Sequence, residues 1–276
     1  MSSSLEIRPI VMDAASRNAI SHCLATTFGQ AERFTEAYIK WQYEDNPEGP
    51  VLGYHAWDGH QIVAHYALQP FTALYQGQSI RCLLSLNTAT LPAYQGRGLF
   101  TRLANHSYEL AASEGFQLVL GVANANSMPG FVRKLGFETL GPLEVRMGVG
   151  RLRWTDSKDV NFQPQWSEER LRWRLSSPAG NYQQGRQAIY SATAYPFVQA
   201  CLGRFSFDSA LRATPGSGLK LWLGLDPEIQ FQGIFPPVPM WARPSPLHLI
   251  YKDLQGKGRQ LSRESTLFQG LDFDAY

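Results

Sequence analysis

The sequence predicts an α/β fold, a mixed sheet flanked by helices, followed by a second half of α+β character. Three observations predict it. Over the first 150 residues, alternating apolar runs and helix-spaced runs succeed one another. At LLSLNTATLPAYQGRGLFTRLA, residues 83–104, a strand-like run passes through a glycine turn directly into a helical pattern. After residue 150 the texture changes to short strand-like runs and proline clusters such as FPPVPMWARPSP, residues 235–246.

In chain order, residues 5–10 read as a short strand, and residues 13–28 and 31–43 carry apolar side chains at helical intervals, among them Phe34, Ala37, Tyr38 and Trp41. Asn46-Pro47-Glu48-Gly49-Pro50 is a breaker cluster and must be a loop. VLGYHAW and IVAHYALQP flank Asp58-Gly59, which reads as a β-hairpin. A strand follows over about Ile80–Thr90, then a helix from Leu99 that Gly115 stops. QLVLGVA is a short buried strand, Pro129–Leu135 a short helix, and Phe137–Val149 strand-like again. The domain expectation is therefore 1–150 and 151–276. Trp41-x-Tyr43 before Asn46-Pro47-x-Gly49 has an echo in Trp173-x-Leu175 before Ser177-Pro178-x-Gly180, slipped by one residue. It is either coincidence or the trace of a degenerate repeat.

Composition narrows the function classes. With 276 residues, 44% hydrophobic and 17% charged, the chain can build a large core and is no disordered polyelectrolyte. The first 150 residues hold 10 basic against 12 acidic groups and the rest 15 against 11, too mild an asymmetry for a nucleic-acid partner. Cys23, Cys82 and Cys201 are odd in number, far apart and outside metal-ligand spacing, so they read as reduced thiols of a cytoplasmic protein, and no metal is expected. MSSSLEIRPI lacks the features of a signal peptide, and no apolar run is long enough to span a bilayer.

Gly-x-Gly occurs four times, at Gly96, Gly148, Gly216 and Gly256, so the pattern alone carries no weight. Only Gly96-Arg97-Gly98 stands between a strand and a clearly periodic helix. Glycine there permits positive φ, and a helix N-terminus offers unpaired N–H groups to an anion. A Rossmann turn would need a third glycine where Thr101 stands, and a P-loop would need Lys-Ser/Thr where Leu99-Phe100 stand; both readings fail.

Gln95-Gly96-Arg97-Gly98-Leu99-Phe100 resembles the pyrophosphate loop of the GNAT superfamily of N-acyltransferases, Gln/Arg-x-x-Gly-x-Gly/Ala, with Phe100 departing from its last position. Asn124-Ala125-Asn126-Ser127, then Phe131, then Lys134-Leu135-Gly136-Phe137, resembles the superfamily's second signature. The similarity covers about residues 5–150. Trp41-x-Tyr43 before Asn46-Pro47-x-Gly49 is similar to a subgroup with a long C-terminal extension. The resemblance implies a GNAT-like mixed sheet and a possibly degenerate GNAT-like second half. It implies acetyl-CoA or another acyl-CoA as co-substrate and a small-molecule amine as acceptor, with one coenzyme site per chain and a monomeric or homodimeric protein. The coenzyme-binding residues it implies are Ala89, Thr90 and Leu91 on the strand, Gln95, Gly96, Arg97, Gly98, Leu99 and Phe100 in the loop, and Asn126, Ser127 and Phe131 beyond the cleft. Phe100 could equally point into the core.

The proton-transfer groups are less legible. The tyrosine that protonates the leaving thiolate in many GNAT enzymes is replaced by Val132, leaving Tyr43, Tyr66 and Tyr94 as alternatives. No acid lies on the strand before the loop; Asn87 can orient an amine through its carbonyl oxygen but is no base. Strand alternation places Ser85, Asn87 and Ala89 on one face. His65 is the titratable candidate, against the alternative of a packed, hydrogen-bonded histidine. The catalytic set is thus His65, Asn87 and Tyr66. The competing functions are a non-catalytic CoA-binding or scaffold protein and a long-chain N-acyl synthase.

Overall fold

A computed structural model describes residues 5–155, 159–185, 188–205 and 218–273. The elements run β1 (Glu6–Pro9), α1 (Ala14–Phe28), α2 (Glu36–Tyr43), β2 (Leu52–Asp58), β3 (Gln61–Tyr75), β4 (Gln78–Thr90), α3 (Leu99–Ser113), β5 (Leu118–Ala123), β6 (Glu138–Pro142) and β7 (Glu144–Trp154). They continue β8 (Phe162–Pro164), α4 (Glu168–Leu175), β9 (Tyr182–Gln184), β10 (Ala188–Ala192), β11 (Val198–Arg204), β12 (Leu219–Leu225), β13 (Ile229–Ile234), β14 (His248–Asp253) and β15 (Phe268–Gln269). Every element expected in the first half forms, with moved ends. Helical spacing over 31–43 becomes a helix only from Glu36, because the Thr35 side chain accepts the Tyr38 N–H and caps it there. The short helix before Gly136 is a π turn, Gly130–Lys134.

Two sheets result. The first has the order β1-β2-β3-β4-β5-β14-β6, with β8 added to β3; the second has β9-β10-β11-β12-β7-β13, with β15 added to β12. In each, one central pair is parallel, β4 with β5 and β11 with β12. The strands flanking those pairs are antiparallel to them. Read outward from the parallel pair, the sheets share one strand order and one pattern of pairing directions: β2 to β6 of the first correspond to β9 to β13 of the second. The strand beside β5 is β14, and the strand beside β12 is β7. Each half thus supplies the strand that completes the other's sheet, so the sheets do not divide at residue 150; β7 itself runs across it.

The echo noticed in the sequence is a contact. Helices α2 and α4 are both eight residues long, capped by Thr35 and Ser167, with a glutamate first and a tryptophan sixth. Trp41 and Trp173 stack, centroids 5.0 Å apart. The Trp41 indole N–H donates to the Trp173 carbonyl at 2.7 Å, and that of Trp173 to the Trp41 carbonyl at 2.8 Å. A reciprocal pair of this kind is what a local two-fold relation between like helices produces. The main core packs α1, α2 and α3 on the first sheet, and a second cluster including Phe71, Leu118, Leu140, Leu223 and Phe268 joins the two sheets.

Candidate active site

The site begins as a fault in β4. Its pairing with β3 shifts between His65 and Ala67, and Asn87, at φ +48°, sits in the bulge. A left-handed asparagine costs less than most residues would there, since asparagine is among the side chains that enter that region most readily. Beyond the fault β4 leaves β5: their parallel register runs only from Cys82↔Leu118 to Ser85↔Gly121, although β4 continues to Thr90 and β5 to Ala123. The splay opens a backbone edge along residues 86–90.

The bulge also breaks the alternation expected of Ser85 and Asn87. Ser85 Oγ donates to the Tyr66 hydroxyl at 3.0 Å, on the face where Tyr66 meets Tyr108 of α3 at 2.5 Å. Asn87 instead reaches α2 on the opposite face, where Nδ2 donates to Gln42 Oε1 at 2.7 Å and to the Tyr43 hydroxyl at 3.1 Å. One residue added to a strand moves its side chain across the sheet, so Ser85 and Asn87 do not share a face.

The splay leads to the glycine turn. Gly96 and Gly98 have φ of +76° and +72°, and Gly98 is the N-cap of α3. The Gln95 N–H bonds Pro92 O at 3.3 Å and the Arg102 N–H bonds Gly98 O at 3.1 Å. Among the described residues, the amides between them, Gly96 to Thr101, meet no protein acceptor. A Cβ built on Gly96 or Gly98 meets nothing within 4 Å, so the space above the loop is open as well. Unpaired amides, a helix N-terminus and open space together fit a diphosphate. Arg97 lies at the rim, its guanidinium 4.8 Å from the Tyr94 ring centroid and 3.1 Å from Ala93 O.

The other expected binding residues are placed as follows. Thr90 is half-buried on the splayed edge, while Ala89, Leu91 and Leu99 are buried. Gln95 Nε2 donates to Thr90 O at 3.2 Å and so ties the loop to the strand. Phe100 packs edge-on against Phe131 and Tyr66, at 5.2 and 6.0 Å, and Phe131 is itself buried: both stand in the aromatic core under the loop. Asn126 is exposed, and Ser127 is engaged within its own turn, its Oγ accepting the Asn124 N–H at 3.1 Å. Asn124 organises that turn, since its Oδ1 accepts the amides of Asn126 and Ser127 at 3.0 Å each. Its Asn-x-x-Ser spacing is the turn signal that marks it in the sequence.

His65 is not brought to the cleft. It is 1% exposed, its Nε2 lies 2.8 Å from the Tyr43 hydroxyl and its Nδ1 3.0 Å from Nδ1 of His55. Burial, with His55 beside it, holds its pKa well below the usual imidazole range, and burial alone takes His55 to about 3. Both rings are neutral, and neither opens to solvent. Tyr66 is enclosed too, and burial pushes its hydroxyl up to about 12. Tyr94 donates to Asp58 at 2.6 Å and Tyr43 is wholly buried. Val132 is half-buried, and no tyrosine stands at that position.

On the inner side of the splay lies a cavity of about 270 Å³ lined by Gln42, Gln69, Ser85, Asn87, Arg33 and Tyr38, with apolar walls that include Leu247 and Phe273 from the C-terminal half. Among the described residues, no carboxylate or imidazole lines it. Composition did not mark Gln42 or Gln69; only the packing of α2 on β3 brings them here.

The corresponding gap of the second sheet is filled by the chain itself. There β15 lies against β12 through Gly224↔Gln269 and Leu225↔Phe268, and Gln269 Oε1 accepts the Arg204 N–H of β11 at 2.9 Å. A Cβ on Gly203 would strike Gln269 Oε1 at 1.9 Å, so nothing further fits. Gly218 opens directly into strand β12; Gly216 lies outside the described residues.

Residues 8–140 match the family model of the acetyltransferase (GNAT) domain. Among solved structures, a probable N-acyltransferase from Enterococcus faecalis V583 is similar at TM-score 0.59 and 11% identity, over 91% of this chain and 73% of that one. A GCN5-related N-acetyltransferase from Kribbella flavida gives 0.56 and 11%, over 91% and 72%. One from Anabaena variabilis ATCC 29413 gives 0.54 and 9%, over 90% and 73%. At these identities the likeness is one of fold, and it takes in both sheets. A sequence comparison with curated proteins gives no match. The match to the acetyltransferase (GNAT) domain takes in the splayed parallel pair and the glycine turn.

Proposed function

We propose that this protein transfers an acyl group, most simply acetyl, from acyl-CoA to the amine of a small molecule. The observation that carries the reading is the run of unengaged amides from Gly96 to Thr101 at the end of the splayed strand. Acyl-CoA, when bound, supplies a thioester as electrophile. Residues 96–101 hold its diphosphate through main-chain N–H groups and the α3 N-terminus. The free edge of β4 over residues 86–90 takes the pantetheine arm as an added strand. Asn87 orients the amine from the cavity side, and most of the acceleration comes from holding both reactants in place. With no carboxylate or imidazole lining the cavity among the described residues, the amine's proton leaves to water as the C–N bond forms, and the CoA thiolate released by C–S cleavage takes a proton from water. Residues 151–276, which we read as a degenerate copy of the first half, frame the acceptor cavity through Leu247 and Phe273, and carry no second coenzyme site.

Isothermal titration with acetyl-CoA tests the loop through two substitutions. Gly98→Val forces a β-branched residue to φ +72° and is expected to weaken binding at least tenfold. Gly98→Asn, which tolerates that φ, keeps the turn and loses much less. Equal affinity in wild type and folded Gly98→Val removes the assignment. A second reading, a CoA-binding protein without turnover, draws on Val132 and the buried His65. Thiol release from acetyl-CoA dependent on an added amine excludes it.

A further inference from the structure

Asn87 is held by an unusually deep support. Behind it, α2 and the β2–β3 hairpin place four polar side chains in contact: Asn87, Tyr43, His65 and His55. The Tyr43 hydroxyl lies 2.8 Å from His65 Nε2, the two imidazoles meet at 3.0 Å and stack with centroids 4.9 Å apart, and Tyr43, His65 and His55 are at most 1% exposed. His55 Nε2 is buried without a hydrogen-bond partner. Burying two imidazoles and leaving one nitrogen unpaired costs free energy that an apolar core at this place would not. The chain ends at one polar group that borders the cavity, Asn87.

With His65 Nδ1–H donating to His55, the Tyr43 hydroxyl donates to His65 Nε2, so its oxygen accepts from Asn87 Nδ2 at 3.1 Å, and Gln42 Oε1 accepts at 2.7 Å. Both hydrogens of the Asn87 amide are then spent on α2, and its carbonyl oxygen is the polar atom left for the cavity. Its neighbour Gln69 is biased the same way: Gln69 Nε2 donates to Gln42 O at 3.0 Å, so its oxygen too remains as an acceptor.

We propose that Tyr43, braced by the buried His65–His55 pair, is a positioning residue that locks the Asn87 amide with Oδ1 toward the cavity, where it and Gln69 receive the N–H groups of an uncharged primary amine. This rests on the acyl-transfer reading and adds to it how the acceptor is recognised: by the hydrogen-bond acceptors of Asn87 and Gln69.

The test uses 2,2,2-trifluoroethylamine, which is uncharged near neutral pH, and its N,N-dimethyl derivative, which has no N–H. Fluorine NMR follows their binding, and the Asn87 side-chain NH2 resonances report the lock. The primary amine is expected to bind wild type at least threefold more tightly than the dimethyl compound, and to shift the Asn87 resonances. Tyr43→Phe is expected to erase that preference and to change the Asn87 resonances without ligand, while acetyl-CoA affinity stays within twofold. Asn87→Leu, the second variant, loses the preference with Tyr43 intact. Equal binding of the two probes to wild type, or a Tyr43→Phe protein that keeps both the preference and the Asn87 signature, overturns the proposal. Failure of acetyl-CoA to bind wild type strikes the acyl-transfer reading instead and is read in a separate titration.

Discussion

At the scale of single residues, the conflict between burial and charge decides what the histidines do. An exposed His65 could titrate near neutrality; beneath α2 it stays neutral far below that. The unfolded chain takes up protons on both imidazoles below about pH 6.5, and the folded chain does not until near pH 3 at His55. Their contribution to stability is therefore complete above pH 6.5 and is lost as pH falls, by about 1.4 kcal/mol per unit for each ring. Asp272 opposes this. Burial pushes its carboxyl up to about 6, so between that value and its ordinary one the folded state holds a proton the unfolded state lacks. Burial raises the Asp226 carboxyl in the same direction, and the two rings, which weigh from pH 6.5 downward, still leave a net loss at pH 5. The urea midpoint at pH 5 is expected to lie below that at pH 7, and an equal or higher midpoint would refute the neutral, buried pair. His65 was legible as a polar residue on a hairpin strand. Its burial was not, because a period of two assigns a side chain to a face without saying what covers the face.

At the scale of elements, the paired helices α2 and α4 hold the halves together through the two tryptophans. Trp41→Phe keeps an aromatic ring and removes the indole donor to the Trp173 carbonyl, which retains its bonds from Ser176; Trp173→Phe removes the indole donor to the Trp41 carbonyl. Each is expected to cost about 1–3 kcal/mol. Because each ring also stacks on its partner, the double variant should depart from additivity by more than about 0.5 kcal/mol. A double-mutant cycle by urea unfolding measures this, and strict additivity would mean that the contact does not join the halves. The sequence displayed this relation faintly. The one-residue slip in the loops after the helices hides it, whereas counting from the caps Thr35 and Ser167 aligns the tryptophans without a gap. A cap fixes where a helix starts, so it is the better origin for comparing two helices.

At the scale of the whole molecule, the exchange of β7 and β14 makes the halves interdependent. Residues 1–154 alone would keep β7 but lack β14, leaving β5 without its antiparallel neighbour from Leu118 to Ala123. They would also expose surface that Leu249, Ile250 and Tyr251, each at most 2% exposed, now cover. The fragment is expected to show no cooperative thermal transition, whereas the full chain shows one. A fragment that melts cooperatively and binds acetyl-CoA would show that the first sheet closes without β14.

The sequence by itself determined the elements of the first half, the glycine turn between β4 and α3, and the family resemblance, because each depends on local periodicity or on contiguous residues. Tertiary structure decided the rest: that Asn87 crosses to the α2 face, that His65 is sealed, that β15 fills the second gap, and that the halves exchange a strand. Those outcomes depend on which distant segment covers a given edge or face, and residues far apart in the chain carry no local signature of their meeting.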